Sequence, residues 1–192
     1  MRAVVLALGA LVLSAQQPGA VAAVNLPVTL PEGPLVDARD HKALLLGETT
    51  AKAILAHREV FRDNLAKVKL PAELKARWQG VRHPLTLVAV FGSWCSDSHR
   101  QLPDLLALEA EPNPFIEIHY LGVNRDKALK QEVWPKGCLS QGVDRVPTFY
   151  LFATRPGGGQ RLVGAVVETP PKVGQTMAEA LVELAETAGR TR

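Results

Sequence analysis

The chain has 192 residues, of which 47% are hydrophobic and 21% are charged. This balance is typical of a globular domain and excludes a disordered, collagen-like or multispan membrane protein. A formal net charge of +3 and 5% aromatic residues, with no segment in which basic residues cluster, argue against a nucleic-acid partner. Two cysteines exclude a disulfide-rich scaffold and a four-cysteine zinc or iron–sulfur site.

The first 22 residues have the pattern of a secretory signal peptide. A basic Arg2 precedes an apolar run at residues 3–13, and Ala20 and Ala22 fit the small-residue positions of a cleavage site. The run is shorter than the roughly 20 residues of a membrane-spanning helix, and a buried N-terminal strand or helix is the alternative. We therefore predict an exported protein, periplasmic or secreted, with no stable membrane insertion after removal of residues 1–22. Disulfides persist in such compartments.

The segment that follows, residues 23–47, carries three prolines and little periodicity, which predicts an irregular N-terminal arm. Apolar residues then recur at helical spacing from Thr49, which predicts a first helix. A second helix is predicted from Pro71 to Gly80, because proline near the start and glycine near the end of a helix are favoured.

The remaining pattern predicts an alternation of strands and helices. Residues 85–91 form a continuous apolar, β-branched run, as in a strand covered on both faces. The later elements are a helix that opens at Cys95, a strand at 115–121, a polar helix at 126–134, a hairpin of strands at 148–152 and 161–167, and a last helix from Thr176 with capping-box spacing to Glu179. This order predicts an α/β fold with a central mixed sheet flanked by helices.

We place a single domain over residues 48–190. Its first part, residues 48–80, is the predicted N-terminal helical extension, and its core covers residues 84–190.

Cys95 lies where a predicted buried strand gives way to a helix. Unpaired backbone N–H groups and the positive end of the helix dipole favour a thiolate at such a position, and the thiolate is the nucleophilic form of cysteine. The preceding Trp94 would shield one side of the sulfur and leave it accessible. The position itself therefore predicts a reactive thiol.

The pentapeptide Trp94-Cys95-Ser96-Asp97-Ser98 resembles the thioredoxin active-site motif Trp-Cys-x-x-Cys, with Ser98 in place of the second cysteine. This spelling is similar to that of a bacterial, exported branch of the thioredoxin-like superfamily with a Trp-Cys-x-x-Ser motif. The resemblance implies a thioredoxin-like fold and a site in which Cys95 is the catalytic nucleophile.

Three further features occur in family order. Pro103 matches the proline of the active-site helix, and Val146-Pro147 is similar to the cis-proline loop that faces the sulfur and holds the substrate. Gly164 fits the glycine at the end of the last strand, on the substrate-facing rim. The resemblance thus implies substrate contacts at Trp94, Val146, Pro147 and Gly164.

Two departures from the family pattern change the expected chemistry. Ser98 removes the thiol that resolves a mixed disulfide in dithiol enzymes, and we expect its hydroxyl to donate a hydrogen bond to the Cys95 sulfur. Ala89 stands where thioredoxins keep a buried aspartate. For Cys138, three interpretations stay open: a substitute resolving thiol, a permanent partner of Cys95, or a small buried apolar residue.

These features predict an exported monothiol thioredoxin-like thiol–disulfide oxidoreductase that acts on protein or low-molecular-weight mixed disulfides with an external thiol reductant. The alternative is a non-catalytic binding module that uses the cis-proline groove to hold a partner. No cofactor and no metal are expected, because the five histidines lack metal-ligand spacing. His99 and Arg100 are expected on a solvated helix surface, and Arg125 at a solvated helix start.

Overall fold

A central sheet of five strands organises the chain. The protein is described here by a computed structural model that covers residues 35–189, so the predicted signal peptide and residues 23–34 of the predicted arm lie outside the described residues. The strands are β1 (Gly47–Thr49), β2 (Leu85–Phe91), β3 (Ile116–Gly122), β4 (Thr148–Thr154) and β5 (Gln160–Val167). Their order is β1-β3-β2-β4-β5; β2 and β3 are parallel, and the other pairs are antiparallel. The predicted mixed α/β sheet is confirmed.

Among the described residues, five helices pack around this sheet: α1 (Ala51–His57), α2 (Glu59–Leu65), α3 (Ala72–Gly80), α4 (Ser96–Glu109) and α5 (Met177–Ala188). Thr176 and Glu179 form the predicted capping box at the start of α5, which satisfies two backbone donors that a helix end leaves unpaired. None of the helices within residues 35–189 is long and apolar enough to cross a membrane.

The predicted first helix is wrong in two respects. Gly47–Thr49 forms an edge strand, and the helix behind it is interrupted at Arg58, whose backbone is extended (φ −139°, ψ 132°). The Arg58 side chain donates a hydrogen bond to the Ala43 carbonyl at 3.2 Å and pairs with Asp40 at 3.3 Å. These long-range contacts anchor the arm to the junction between α1 and α2.

The two faces of β2 bury different sets of residues, because successive side chains of a strand point to opposite faces. All seven residues of β2 are buried. On one face, Leu87 and Ala89 pack in the cluster that contains residues of all five helices. On the other face, Val88 and Val90 pack in a smaller cluster with Trp134, Cys138, Val146 and their neighbours.

The predicted polar helix at residues 126–134 is also wrong. The segment between β3 and β4 is irregular except for a 3₁₀ turn at Gln131–Val133. Asn124 accepts the backbone N–H of Asp126 at 3.1 Å, which forms a turn, and Lys127 has a φ of +56°. Such local side-chain bonds compete with helix formation. The segment instead covers the smaller cluster.

Candidate active site

Cys95 is the N-cap residue of α4. Its N–H donates to the Gly92 carbonyl at 2.9 Å, and its carbonyl accepts the His99 N–H at 3.0 Å. The chain thus turns from the end of β2 directly into the helix, whose first N–H groups have no intrahelical acceptor. The side chain is half-buried, so the sulfur lies at the helix start at a site that is partly open to solvent.

The Val146-Pro147 segment lies opposite this sulfur, and its peptide bond is cis. The Cys95 thiol donates a hydrogen bond to the Val146 carbonyl, with an Sγ–O distance of 3.2 Å. Pairing of β2 with β4 places Val90 beside Thr148, so the end of one strand and the start of the other meet at the same edge. The sheet therefore brings together residues that lie 51 positions apart in sequence.

The Trp94 ring is held from three sides next to Cys95. Its Nε1 donates to the Val123 carbonyl at 2.9 Å, and the Arg125 guanidinium carbon lies 4.4 Å from the ring centroid, a cation–π contact. A Cβ at Gly92 would lie 2.7 Å from the ring, so this position has no room for a side chain. These contacts fix the ring beside the sulfur.

Arg125 is in turn fixed by the N-terminal arm. Its Nε and Nη2 donate to the two Asp37 carboxylate oxygens at 2.8 and 3.1 Å. Asp37 is buried and also accepts the N–H groups of Arg39 and Asp40. The hydrogen bond from Arg125 lowers the pKa of Asp37, while burial opposes this shift.

Sequence reasoning missed this pair and placed Arg125 in a solvated helix. Asp37 and Arg125 lie 88 positions apart, and no local pattern links them. Predicting this contact requires the conformation of the arm, which brings Asp37 next to Arg125.

Ser98 is fully buried, and its hydrogen bond differs from the expected one. Its Oγ accepts the Gly92 N–H at 3.2 Å, instead of donating to the Cys95 sulfur. The hydroxyl therefore satisfies a buried backbone donor in the turn that leads to Cys95. Ser98 therefore contacts the turn before Cys95 and makes no hydrogen bond with the sulfur itself.

His99 is half-buried, so the expected solvated position is wrong for this residue. Its Nε2 donates to the Ser93 carbonyl at 2.9 Å, and its ring packs edge-on against Phe61 at a centroid distance of 5.1 Å. Burial lowers the pKa of His99, and the bond to Ser93 partly opposes that shift. Arg100 is exposed, as expected, and pairs with Asp97.

Cys138 and Cys95 are both free thiols in this structure, so the interpretation of a permanent bridge has no support here. Cys138 is 1% exposed. Burial, with a smaller contribution from the negative charge of Glu117, raises the pKa of Cys138 to about 11. Its surroundings are those of the buried apolar residue that was one of the three interpretations.

Gly164 does not lie at the rim of the site. It pairs with Leu151 in the middle of β5, whereas Val167 pairs with Thr148 next to the cis bond. A Cβ at Gly164 would lie 3.1 Å from the Leu184 side chain of α5. The glycine thus permits close packing of helix on strand, and the assignment of a substrate contact is corrected.

Within residues 35–189, no group of three or more histidine, cysteine or acidic residues is arranged to hold a metal ion. The site consists of one thiol, the carbonyl and cis-proline opposite it, and a fixed aromatic ring.

A thioredoxin family profile matches residues 46–181, and the chain therefore belongs to the thioredoxin family. No curated protein matches it.

Two solved structures share the fold. One is a protein of unknown function from Pseudomonas aeruginosa, with a TM-score of 0.54 and 18% identity over 76% of this chain and 94% of that chain. The other is an HIV epitope-scaffold, with a TM-score of 0.53 and 17% identity over the same shares of the two chains. At this identity the likeness concerns the fold alone.

Proposed function

We propose that the chain is an exported monothiol thiol–disulfide oxidoreductase that acts through Cys95 on protein or low-molecular-weight mixed disulfides. The observation that carries this proposal is the position of the half-buried Cys95 thiol. It lies at the start of α4 and 3.2 Å from the carbonyl that precedes a cis-proline. A substrate chain that occupies this groove presents its disulfide to a sulfur at a helix N-terminus, beside backbone N–H groups that have no intrahelical acceptor.

The proposed reaction has three exchange steps. The Cys95 thiolate attacks one sulfur of a substrate disulfide, a new disulfide forms between Cys95 and that sulfur, and the other sulfur leaves as a thiolate that takes up a proton. A thiol from an external reductant then attacks the Cys95 sulfur of the mixed disulfide; a disulfide forms between Cys95 and the reductant, and the substrate leaves as a thiol. A second external thiol attacks this disulfide and frees the Cys95 thiol. The two external thiols end as one disulfide and so supply the two electrons.

External release follows from the surroundings of the two candidate resolving groups. Ser98 carries no sulfur and is committed to the Gly92 N–H. Cys138 is buried, with its pKa raised to about 11, so little of it is thiolate at neutral pH.

The test is a mixed-disulfide assay with a glutathionylated peptide, followed by intact-protein mass spectrometry. We expect the reduced protein and its Cys138→Ala variant to form the same adduct on Cys95 and to release peptide thiol on addition of glutathione. Cys95→Ser is the matched control and forms no adduct. Adduct formation at Cys95 no faster than at free glutathione would contradict the enzymatic proposal.

Export is tested separately, by fractionation of producing cells and N-terminal sequencing of the recovered protein. We expect a chain that starts at residue 23 in the periplasm or medium. Recovery of the uncleaved chain from the cytoplasm would contradict export and leave the thiol chemistry unaffected.

A second candidate function is a non-catalytic binding module. It is favoured by the hydrogen bond from the Cys95 thiol to the Val146 carbonyl, because only the protonated sulfur can donate. The pH dependence of Cys95 alkylation separates the two functions. A rate already at its plateau at pH 7 supports the enzyme, whereas a rate that rises about tenfold per pH unit through pH 8 supports the binding module.

A further inference from the structure

A cavity lies at the end of the sheet opposite Cys95. It has a volume of about 660 Å³, and its lining includes His83, Pro84, Ala153, Arg155, Arg161 and Ala188. Leu85 at the start of β2 pairs with Ala153, whereas Cys95 follows the other end of β2. A strand of seven residues is about 20 Å long, so this distal cavity is separate from the candidate active site.

The distal cavity is basic, and none of its lining residues is acidic. Ala153 pairs with Arg161 across the hairpin, and Ala153 packs on the sheet face that α5 covers. Cross-strand partners share a face, so Arg161 projects to the same side. In the part of the chain that the structure describes, neither the Arg155 nor the Arg161 guanidinium has an ion pair or hydrogen bond.

A structural role at the end of α5 is the competing explanation for these arginines, since cations stabilise helix C-termini. The described contacts assign that role to another residue. His83 Nε2 donates to the Ala185 carbonyl at 3.2 Å, and the Gly189 N–H returns to Thr187. The arginine donors therefore stay available for a ligand.

We propose that the distal cavity binds a small organic anion: a carboxylate, sulfonate or phosphate monoester attached to an apolar group. Guanidinium groups present a planar fork of donors that matches such oxyanions. Pro84, Ala153 and Ala188 supply apolar surface for the attached group. The volume falls within the range of about 300–1,000 Å³ that small-molecule sites occupy.

The probe for this proposal is 1-naphthyl phosphate, with neutral 1-naphthol and inorganic phosphate as comparison ligands. Titration calorimetry gives the affinities, and amide shifts in heteronuclear NMR locate the site. We expect naphthyl phosphate to bind at least about tenfold more tightly than either comparison ligand. Arg155→Gln and Arg161→Gln should each weaken binding about tenfold, since each removes a charge-assisted hydrogen bond to the anion.

Two variants serve as controls. Arg39→Gln removes an equal charge from an exposed arm residue that does not line the distal cavity. The affinity for naphthyl phosphate should stay within about twofold, because a solvent-screened charge outside the site contributes little. Cys95→Ser should bind as the native protein does, which separates this proposal from the proposed thiol chemistry.

Several results would overturn the proposal. Equal binding of naphthol and naphthyl phosphate would show that the anionic group is not recognised. Amide shifts confined to residues near Cys95 would show that the ligand does not bind in the distal cavity. Arginine variants that lower the melting temperature and leave binding intact would establish the helix-stabilising role instead. Displacement of the probe by phosphatidylglycerol vesicles that bind the protein would replace the free small molecule with a lipid surface.

Discussion

Burial of Cys138 makes a quantitative prediction about its reactivity. The change is Cys95→Ser, which leaves Cys138 as the single thiol of the chain. The pKa of Cys138 is raised from an ordinary 9.0 to about 11, a difference of about two units. At pH 7.5, below both values, the thiolate fraction therefore falls about 100-fold relative to an unfolded chain. The low exposure of the side chain, 1%, slows attack further.

The assay is alkylation with iodoacetamide at pH 7.5, followed by intact mass, in native buffer and in 8 M urea. We expect the native rate to be at least about 100-fold below the rate in urea. A native rate within tenfold of the rate in urea would refute the argument from burial and restore Cys138 as a resolving thiol.

The same shift predicts a loss of stability in alkali. The thiol ionises near pH 9 in the unfolded chain and near pH 11 in the folded one, so between these values the unfolded state releases more protons. In the Cys95→Ser background, Cys138 should therefore lower the free energy of unfolding as the pH rises from 9 to 11. Denaturant titrations of this protein and of its Cys138→Ala derivative measure this effect: the difference in stability between the two should be constant below pH 8 and change between pH 9 and 11.

Three further changes test other contacts of the site. Ser98→Ala should lower the free energy of unfolding in urea by about 1–2 kcal/mol, because the buried Gly92 N–H loses its acceptor. A loss below about 0.5 kcal/mol, as for a surface substitution, would contradict this prediction. The pKa of His99 is lowered in the folded protein, so on acidification the unfolded chain is protonated at this residue before the folded one. The free energy of unfolding should therefore fall as the pH drops below 6.5, and His99→Gln should reduce this fall. Equal pH profiles of the two proteins would refute this prediction. Asp37→Asn should increase trypsin cleavage of the arm at least about fivefold and change Trp94 fluorescence, whereas the control Asp63→Asn, at an exposed position of α2, should do neither.

Much of the core could be predicted from the sequence because its signals are local. The seven residues of β2 are an unbroken apolar run, and the structure buries all of them. The start of α5 is defined by a capping box whose two partners lie three positions apart. Hydrogen bonds and apolar periodicity over such short distances depend little on the rest of the fold.

The errors occur where distant contacts override local propensity. The residues from 126 to 134 have a helical composition. Packing of the Trp134 ring against Tyr150 and Phe152 on the sheet nevertheless stabilises an irregular conformation of this segment. Arg58 interrupts a helical pattern because its partners come from the arm. In the candidate site, the position of Cys95 could be predicted, but the partner of Ser98 could not, since its acceptor role depends on the exact turn that follows β2.

The buried hydroxyl at position 98 has a kinetic consequence in the proposed mechanism. Position 98 carries no thiol and Cys138 is buried, so a covalently bound partner leaves only when an external thiol attacks. The lifetime of the covalent complex is then inversely proportional to the concentration of small thiols outside the protein. In a Trp-Cys-x-x-Cys protein, attack by the second cysteine of the motif sets the rate at which the bound partner is released. This chain would keep its partner covalently bound for as long as its surroundings stay oxidising.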